Sequence, residues 1–223
     1  MFDSIAPTYD LLNRVISLGM DGAWRRKALR VCLCDNPKNV IDLGTGTGDL
    51  ALMLANATAP DVNIIGADFS MAMLRRARYR SKRKGVLLRL AAADAANLPF
   101  AAGSVDAVVT AFTVRNIPDL TGALKAAARV LKPGGRLVVL DMTPVGSGPL
   151  ARLFRLYFHS VVPLIGRLVS RHPFAYEYLP RSVDAFPPAQ EFADLISGSG
   201  FGNVTFSKLG MGSIALHIGI KQA

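Results

Sequence analysis

A β-branched run that passes straight into alternate glycines constrains this chain more than any other feature. It reads Val40-Ile41-Asp42-Leu43-Gly44-Thr45-Gly46-Thr47-Gly48. Glycines at alternate positions let the backbone come close to a ligand, and at a strand end they do so at the carboxyl edge of a sheet. The residues that follow keep one rhythm. Leu50 to Leu54 starts a helix, and Val62 to Ala67 reads as a second strand that ends at Asp68. Ser70 stands where a helix N-cap belongs, ahead of Met71-Ala72-Met73-Leu74. Val86 to Leu90 and Val105 to Thr110 are the third and fourth expected strands. Asp119 caps a helix whose apolar stripe is Leu120, Leu124, Ala127, Val130 and Leu131. Lys132-Pro133-Gly134-Gly135 stops that helix before a fifth strand, Arg136 to Leu140. Strands with little alternation, separated by helices, form a parallel sheet buried on both faces. The last two strands, Asn203 to Ser207 and Ser213 to Ile220, are joined by Gly210-Met211-Gly212 and run antiparallel. The expected fold is α/β, a doubly wound and mostly parallel seven-stranded sheet with an antiparallel C-terminal hairpin.

The glycine loop is selective about its ligand. Its pattern is G-x-G-x-G, whereas the dinucleotide fingerprint is G-x-G-x-x-G, and no Gly-Lys-Ser/Thr completes a P-loop. Asp42 and Asp49 flank it, so a diphosphate would be repelled and an ammonium group favoured. Asp68, at the end of the second strand, stands where a carboxylate accepts hydrogen bonds from both hydroxyls of a ribose. A nucleoside with a ribose and an amino-acid end, and no phosphate, is S-adenosyl-L-methionine. Asp94, after the third strand, can hold the adenine amino group, and Ala111-Phe112, after the fourth, can line the methionine side. The plainer alternative is a tight strand-helix turn with two solvated acids.

Composition excludes several other classes. Hydrophobic residues are 51% of the 223 and charged residues 19%, enough apolar material for a full core. The longest stretch without Asp, Glu, Lys or Arg, Leu195 to Ser207, is shorter than the roughly 20 residues of a spanning helix. Met1-Phe2-Asp3 does not begin a signal peptide, so the chain is expected in the cytoplasm. Cys32 and Cys34 are the only cysteines, too few for a disulfide scaffold. No His/Cys cluster has zinc-ligand spacing, and no metal is expected. The net charge of +10 is concentrated. Arg75, Arg76, Arg78, Arg80, Lys82, Arg83, Lys84 and Arg89 follow one another with no acid among them. Arg152, Arg155, Arg167, Arg171 and Arg181 are opposed only by Glu177. Such patches suit nucleic acid or an anionic membrane, or are solvated faces. Nucleic acid is not expected, because the first run carries only Tyr79 as an aromatic and no RNA-binding motif.

The sequence resembles the ubiquinone/menaquinone biosynthesis C-methyltransferases, within the class I S-adenosylmethionine-dependent methyltransferases. The resemblance runs through Phe2-Asp3-Ser4-Ile5-Ala6 with Tyr9-Asp10, the glycine loop with Asp49-Leu50, and Leu98-Pro99-Phe100. It continues through Val114-Arg115-Asn116, Arg129 to Gly135, Tyr178-Leu179 with Ser182, and Ala215-Leu216-His217. It implies a Rossmann-like methyltransferase that methylates a ring carbon of a polyprenylated quinol, demethylmenaquinol in preference to a benzoquinol. The implied cofactor contacts are Gly44, Thr45, Gly46, Thr47, Gly48, Asp68, Phe69, Asp94, Ala95 and Ala111. The implied catalytic residues are Arg115, Asn116 and Tyr9. Three positions depart from the family pattern, which commonly has Asn for Asp94, Ser for Ala111 and Gly for Thr113.

Methyl transfer to carbon needs an electron-rich acceptor aligned with the donor, water excluded, and developing phenolate charge stabilised. Arg115, just beyond the fourth strand, is placed to lower a quinol hydroxyl's pKa and orient a water, with Asn116 sharing the hydrogen bonding. His159, His172 and His217 are each able to act as a base, and none is assigned. One domain is expected over 1–223: a helical lid over 1–35, a cofactor core over 36–142, a basic helical insertion over 143–187, and a helix with a hairpin over 188–223. Leu153, Phe154, Tyr157, Phe158, Val161, Leu164, Ile165 and Leu168 follow helical spacing, with Arg152, Arg155, His159 and Arg167 on another face. That describes an amphipathic helix able to lie on the inner face of an anionic membrane or to roof an apolar channel. A second copy of the chain is admitted as a partner. The competing readings are a methyltransferase for a soluble small molecule or another lipid, and an RNA-binding or RNA-modifying protein.

Overall fold

The computed structural model describes residues 17, 19–146, 152, 156, 158, 160 and 180–223. In chain order the elements are α1 (Asp21–Cys32), β1 (Asn39–Leu43), α2 (Asp49–Ala57), β2 (Asn63–Asp68), α3 (Met71–Arg83) and β3 (Arg89–Ala92). There follow β4 (Val105–Ala111), a 3-10 turn (Val114–Asn116), α4 (Leu120–Val130), β5 (Leu131–Met142), α5 (Ala189–Ser197), β6 (Phe201–Leu209) and β7 (Ile214–Lys221).

The seven strands lie in the order β3-β2-β1-β4-β5-β7-β6. The pairs from β3 through β5 are parallel, and β7 runs antiparallel to both β5 and β6. Side chains alternate between two apolar layers. Val40, Val138 and Leu140 pack on one face with α1 and α2 residues such as Ala28, Leu50 and Leu54. Ile41, Leu43, Leu137 and Val139 pack on the other with Leu124, Ala127, Phe192 and Ile196 of α4 and α5. Both faces of the sheet are covered, which is why its strands read as continuous apolar runs.

The expected caps are in place: Ser70 Oγ accepts from Met73 N at 3.2 Å, and Asp119 Oδ1 from Gly122 N at 2.8 Å. Two expected elements are corrected. The third strand begins at Arg89 rather than Val86, because Ser81 claims the preceding residues. Its hydroxyl donates to Val86 O and accepts from Leu88 N, while Val86 N donates to Ser81 O. Lys132-Pro133-Gly134-Gly135 is a bulge inside β5 rather than a loop before it, since Val105 pairs with Leu131 and Ala107 with Arg136. Tyr9 and Asp10, the candidate bases His159 and His172, residues 1–16 of the expected lid and most of the expected basic insertion lie outside the described residues. Within the insertion, Phe158 is buried in the layer that holds α1 and α2, and Arg152 and Leu156 are exposed.

Candidate active site

The carboxyl ends of β1, β2, β3 and β4 surround one cleft of about 420 Å³, within the usual range for small-molecule sites. It lies where the strand order reverses between β1 and β4, the topological switch point of a doubly wound sheet. Gly44, Thr45, Gly46, Thr47, Asp68, Phe69, Asp94, Ala95, Ala111 and Asn116, all expected from the sequence, line it.

The glycine loop is tied to its neighbours at every step. Gly44 N and Thr45 N both donate to Ala67 O, at 2.8 and 3.0 Å. Gly44 has φ +68°, and a Cβ there would meet Thr113 Cγ2 at 2.1 Å. Thr113 Oγ1 donates to Gly44 O at 3.1 Å, so the threonine closes over the loop. Gly48 does not line the cleft. It caps α2 with φ +86°, and a Cβ there would stand 3.2 Å from Ala77 of α3; its role is close helix packing.

Asp68 is aimed by the backbone: Oδ2 accepts from Gly46 N and Oδ1 from Ser70 N, each at 2.8 Å. Each carboxylate oxygen keeps acceptor capacity beyond one bond, so both hydroxyls of a diol can still be received. Asp94 Oδ1 accepts from Ala96 N at 3.0 Å, and the residue is exposed at the end of β3. Phe69 stands open at the mouth. Asp42 is not a cleft residue. It is buried beneath the loop, accepts from Thr45 Oγ1 at 2.7 Å, and burial pushes its carboxyl up to about 7 against the pull of Thr45 and Arg25.

Two functional side chains escaped the sequence reading. Arg25 of α1 lines the cleft, with its guanidinium 4.9 Å from the centre of the Phe112 ring, 3.1 Å from Asp21 and 4.0 Å from Asp49. It is buried, and its Nε has no partner among the described residues. Asp21, Arg25, Ala28 and Cys32 share one buried helical face, a legible signal once a charged residue is allowed on it. Arg80 leaves the basic run and turns inward. It donates to Thr47 O (3.1 Å), Thr47 Oγ1 (2.6 Å) and Asp49 Oδ1 (2.5 Å), clamping the loop to α3. Its spacing from buried Ala77 and Ser81 marks it as facing the core edge.

Arg115 is placed differently from the expectation. Its guanidinium pairs with Asp141 of β5 at 2.5 Å, the two side chains being only 6% and 3% exposed, and it is not part of the cleft wall. Arg115 N also donates to Asp141 Oδ2 at 3.3 Å. Asn116 does face the cleft, its Nδ2 donating to Phe112 O at 3.4 Å. Phe112 itself has φ +61°, a strained conformation for an aromatic residue and one typical of functional sites. His217 is remote from the cleft. It is buried between Phe192 and Phe206, its Nε2 donates to Ala189 O at 2.8 Å, and burial holds its pKa below the usual range. It serves the core.

The polar groups converge on one kind of guest. The Arg25 guanidinium suits a carboxylate, Asp49 an ammonium, Asp68 a ribose diol, and Asp94 an exocyclic amine. S-adenosyl-L-methionine carries all four.

The chain is similar to known methyltransferases. The model of the ubiE/COQ5 methyltransferase family matches residues 1–221. The demethylmenaquinone methyltransferase of Thermus thermophilus is 46% identical over 219 residues, 98% of this chain and 99% of that one. The ubiquinone/menaquinone biosynthesis C-methyltransferase UbiE of Syntrophotalea carbinolica is 42% identical over 222 residues, 100% and 93% of the two chains. Among solved structures, a SAM-dependent methyltransferase of Thermotoga maritima shares the fold. Its TM-score is 0.66 at 22% identity, over 99% of this chain and 98% of that one.

Proposed function

The chain belongs to the ubiE/COQ5 methyltransferase family, and from that membership we propose that it C-methylates the ring of a polyprenylated quinol with S-adenosyl-L-methionine. A naphthoquinol of the demethylmenaquinol kind is favoured, because the Thermus relative bears that name. The observation that carries the reading is the convergence of Arg25, Asp49, Asp68 and Asp94 on one cleft at the switch point.

When bound, the cofactor supplies an electrophilic methyl group on a sulfonium. Asp68 holds the ribose, Asp94 with Ala95 the adenine, and Arg25 with Asp49 the amino-acid end. Thr45, Thr47 and the loop amides shape the floor, and Arg80 keeps them in register. Ala111, Phe112, Thr113, Asn116, Ile117 and Pro118 form the wall after β4. The acceptor approaches there, with Asn116 positioned to hydrogen-bond a ring oxygen. Phe112 and Ile117 exclude water from the transfer. Arg115, fixed by Asp141, sets the 3-10 turn that presents Asn116, and the family likeness assigns Tyr9 a catalytic part. The enzyme works on the cytoplasmic side in contact with an anionic membrane. No described helix is long and apolar enough to cross one.

The test is an acceptor panel: a short-chain demethylnaphthoquinol, a short-chain benzoquinol and soluble catechols, each with the cofactor, read by mass spectrometry. The naphthoquinol is expected to gain one methyl fastest. Turnover of soluble catechols with neither quinol methylated would overturn the substrate assignment.

A further inference from the structure

The outward face of α3 carries a charge pattern that the methylation chemistry leaves unused. Met71, Arg75, Arg78, Tyr79, Lys82 and Arg83 fall at helical spacing and are all exposed, while Met73, Leu74, Ala77 and Ser81 form the buried face. Lys84 and Arg89, also exposed, extend the stripe. No acid interrupts the sequence from Phe69 to Ala93. Asp61, which shares a surface groove with Leu87 and Arg89, is paired with Lys38 at 2.6 Å.

Large apolar side chains stand among these cations instead of packing inward. Phe69 is 78% exposed, Met71 53%, Tyr79 61% and Leu87 89%. A surface of mixed cations and projecting apolar tips has two attractions toward one partner. Its charges meet anionic headgroups, and its apolar groups enter the headgroup–acyl boundary. Nucleic acid fits less well. Met71 and Leu87 have no π-face for a base, and Arg83 already lies over the Tyr79 ring at 5.8 Å.

We propose that the outward face of α3, with Phe69 ahead of it and Leu87 behind it, docks the protein on an anionic lipid bilayer. Phe69 and Ser70 also line the cleft, so docking through this end brings the cleft mouth to the headgroups. The inference deepens the quinol reading by naming the surface through which the enzyme meets its lipid substrate. It stands on α3's charge and exposure alone, so its failure is separable from that reading's.

The experiment is co-sedimentation of the full chain with phosphatidylglycerol/phosphatidylcholine vesicles and with pure phosphatidylcholine vesicles, at low and high salt. Wild type is expected to bind the anionic vesicles and to lose binding as salt shortens the screening length below about 8–10 Å. Arg75→Glu/Arg78→Glu/Lys82→Glu is expected to weaken that binding at least tenfold. The milder Arg75→Gln/Arg78→Gln/Lys82→Gln and Tyr79→Ser/Leu87→Ser variants should weaken it less. All should keep wild-type melting and wild-type turnover of a short-chain quinol. Equal binding to both vesicle types, or a triple-Glu variant that binds like wild type, overturns the proposal. So does competition by single-stranded RNA that is lost in the same variant, which would assign the face to nucleic acid. Vesicle binding without quinol turnover would leave this surface standing and remove the quinol reading.

Discussion

Asp42 holds a carboxyl in a place where ionisation is costly, and its pH behaviour follows from that. Its pKa is pushed up from 3.8 to about 7, chiefly by burial. A raised carboxyl stabilises the fold fully below its unfolded pKa, and that contribution is lost as pH rises through about 7. A tenfold change in proton affinity corresponds to about 1.4 kcal/mol. Asp42→Asn should therefore melt increasingly above wild type as pH goes from about 4 to 8; a difference that stays constant with pH would show that Asp42 is ionised throughout. His217 has the opposite sign. Its depressed pKa adds stability above about 6.5 that is lost as pH falls, so His217→Gln should flatten the acid side of the melting curve. The places of Asp68, Asp94, Gly44 and Gly46 at the cleft were legible because strand ends fix them. Those of Arg25 and Arg80 were not, since Asp49, the acid both of them meet beside the loop, lies on another element, and helical period alone leaves a charged residue at the edge of a buried face undecided.

At the scale of elements, the Arg115–Asp141 pair joins the 3-10 turn after β4 to β5. Removing one member of a buried pair leaves an uncompensated charge, typically at a cost of about 3–5 kcal/mol. Arg115→Ala should lower the melting temperature sharply, and adding Asp141→Asn should recover part of the loss in a double-mutant cycle. An Arg115→Ala protein that melts like wild type but loses turnover with cofactor affinity intact would place the guanidinium in the chemical step itself. The sequence placed Arg115 at the right strand end but not its direction. Its partner comes from β5, and an Asp on a strand reading as buried gives no sign of which turn it meets. Strand ends slipped for a similar reason: Ser81's bonds to Val86 and Leu88 are tertiary and leave no mark on periodicity. The caps at Ser70 and Asp119 were read correctly because capping is local.

At the scale of the molecule, the alternation of strand and helix was enough to imply a sheet covered on both faces. The insertion of β7 between β5 and β6 was not, because antiparallel pairing with β5 joins residues far apart in the chain. The topology gathers four strand ends around one cleft, and Phe69 and Ser70 at the start of α3 line it, so under the proposed reading cofactor, acceptor and lipid surface would meet at one edge. If that cleft is the seat of the reaction, damage to its ribose anchor must slow methylation of carbon. The most direct test is transfer from cofactor labelled with carbon-13 in the methyl group to a short-chain demethylnaphthoquinol, by wild type and Asp68→Ala, with the product read by NMR. Loss of charge-assisted hydrogen bonds to the ribose should weaken cofactor binding at least about tenfold. One labelled methyl is expected on a ring carbon, with Asp68→Ala slowed accordingly and largely restored by raised cofactor concentration. Label on oxygen, no label on the ring, or an Asp68→Ala protein indistinguishable from wild type would contradict the assignment of the cleft.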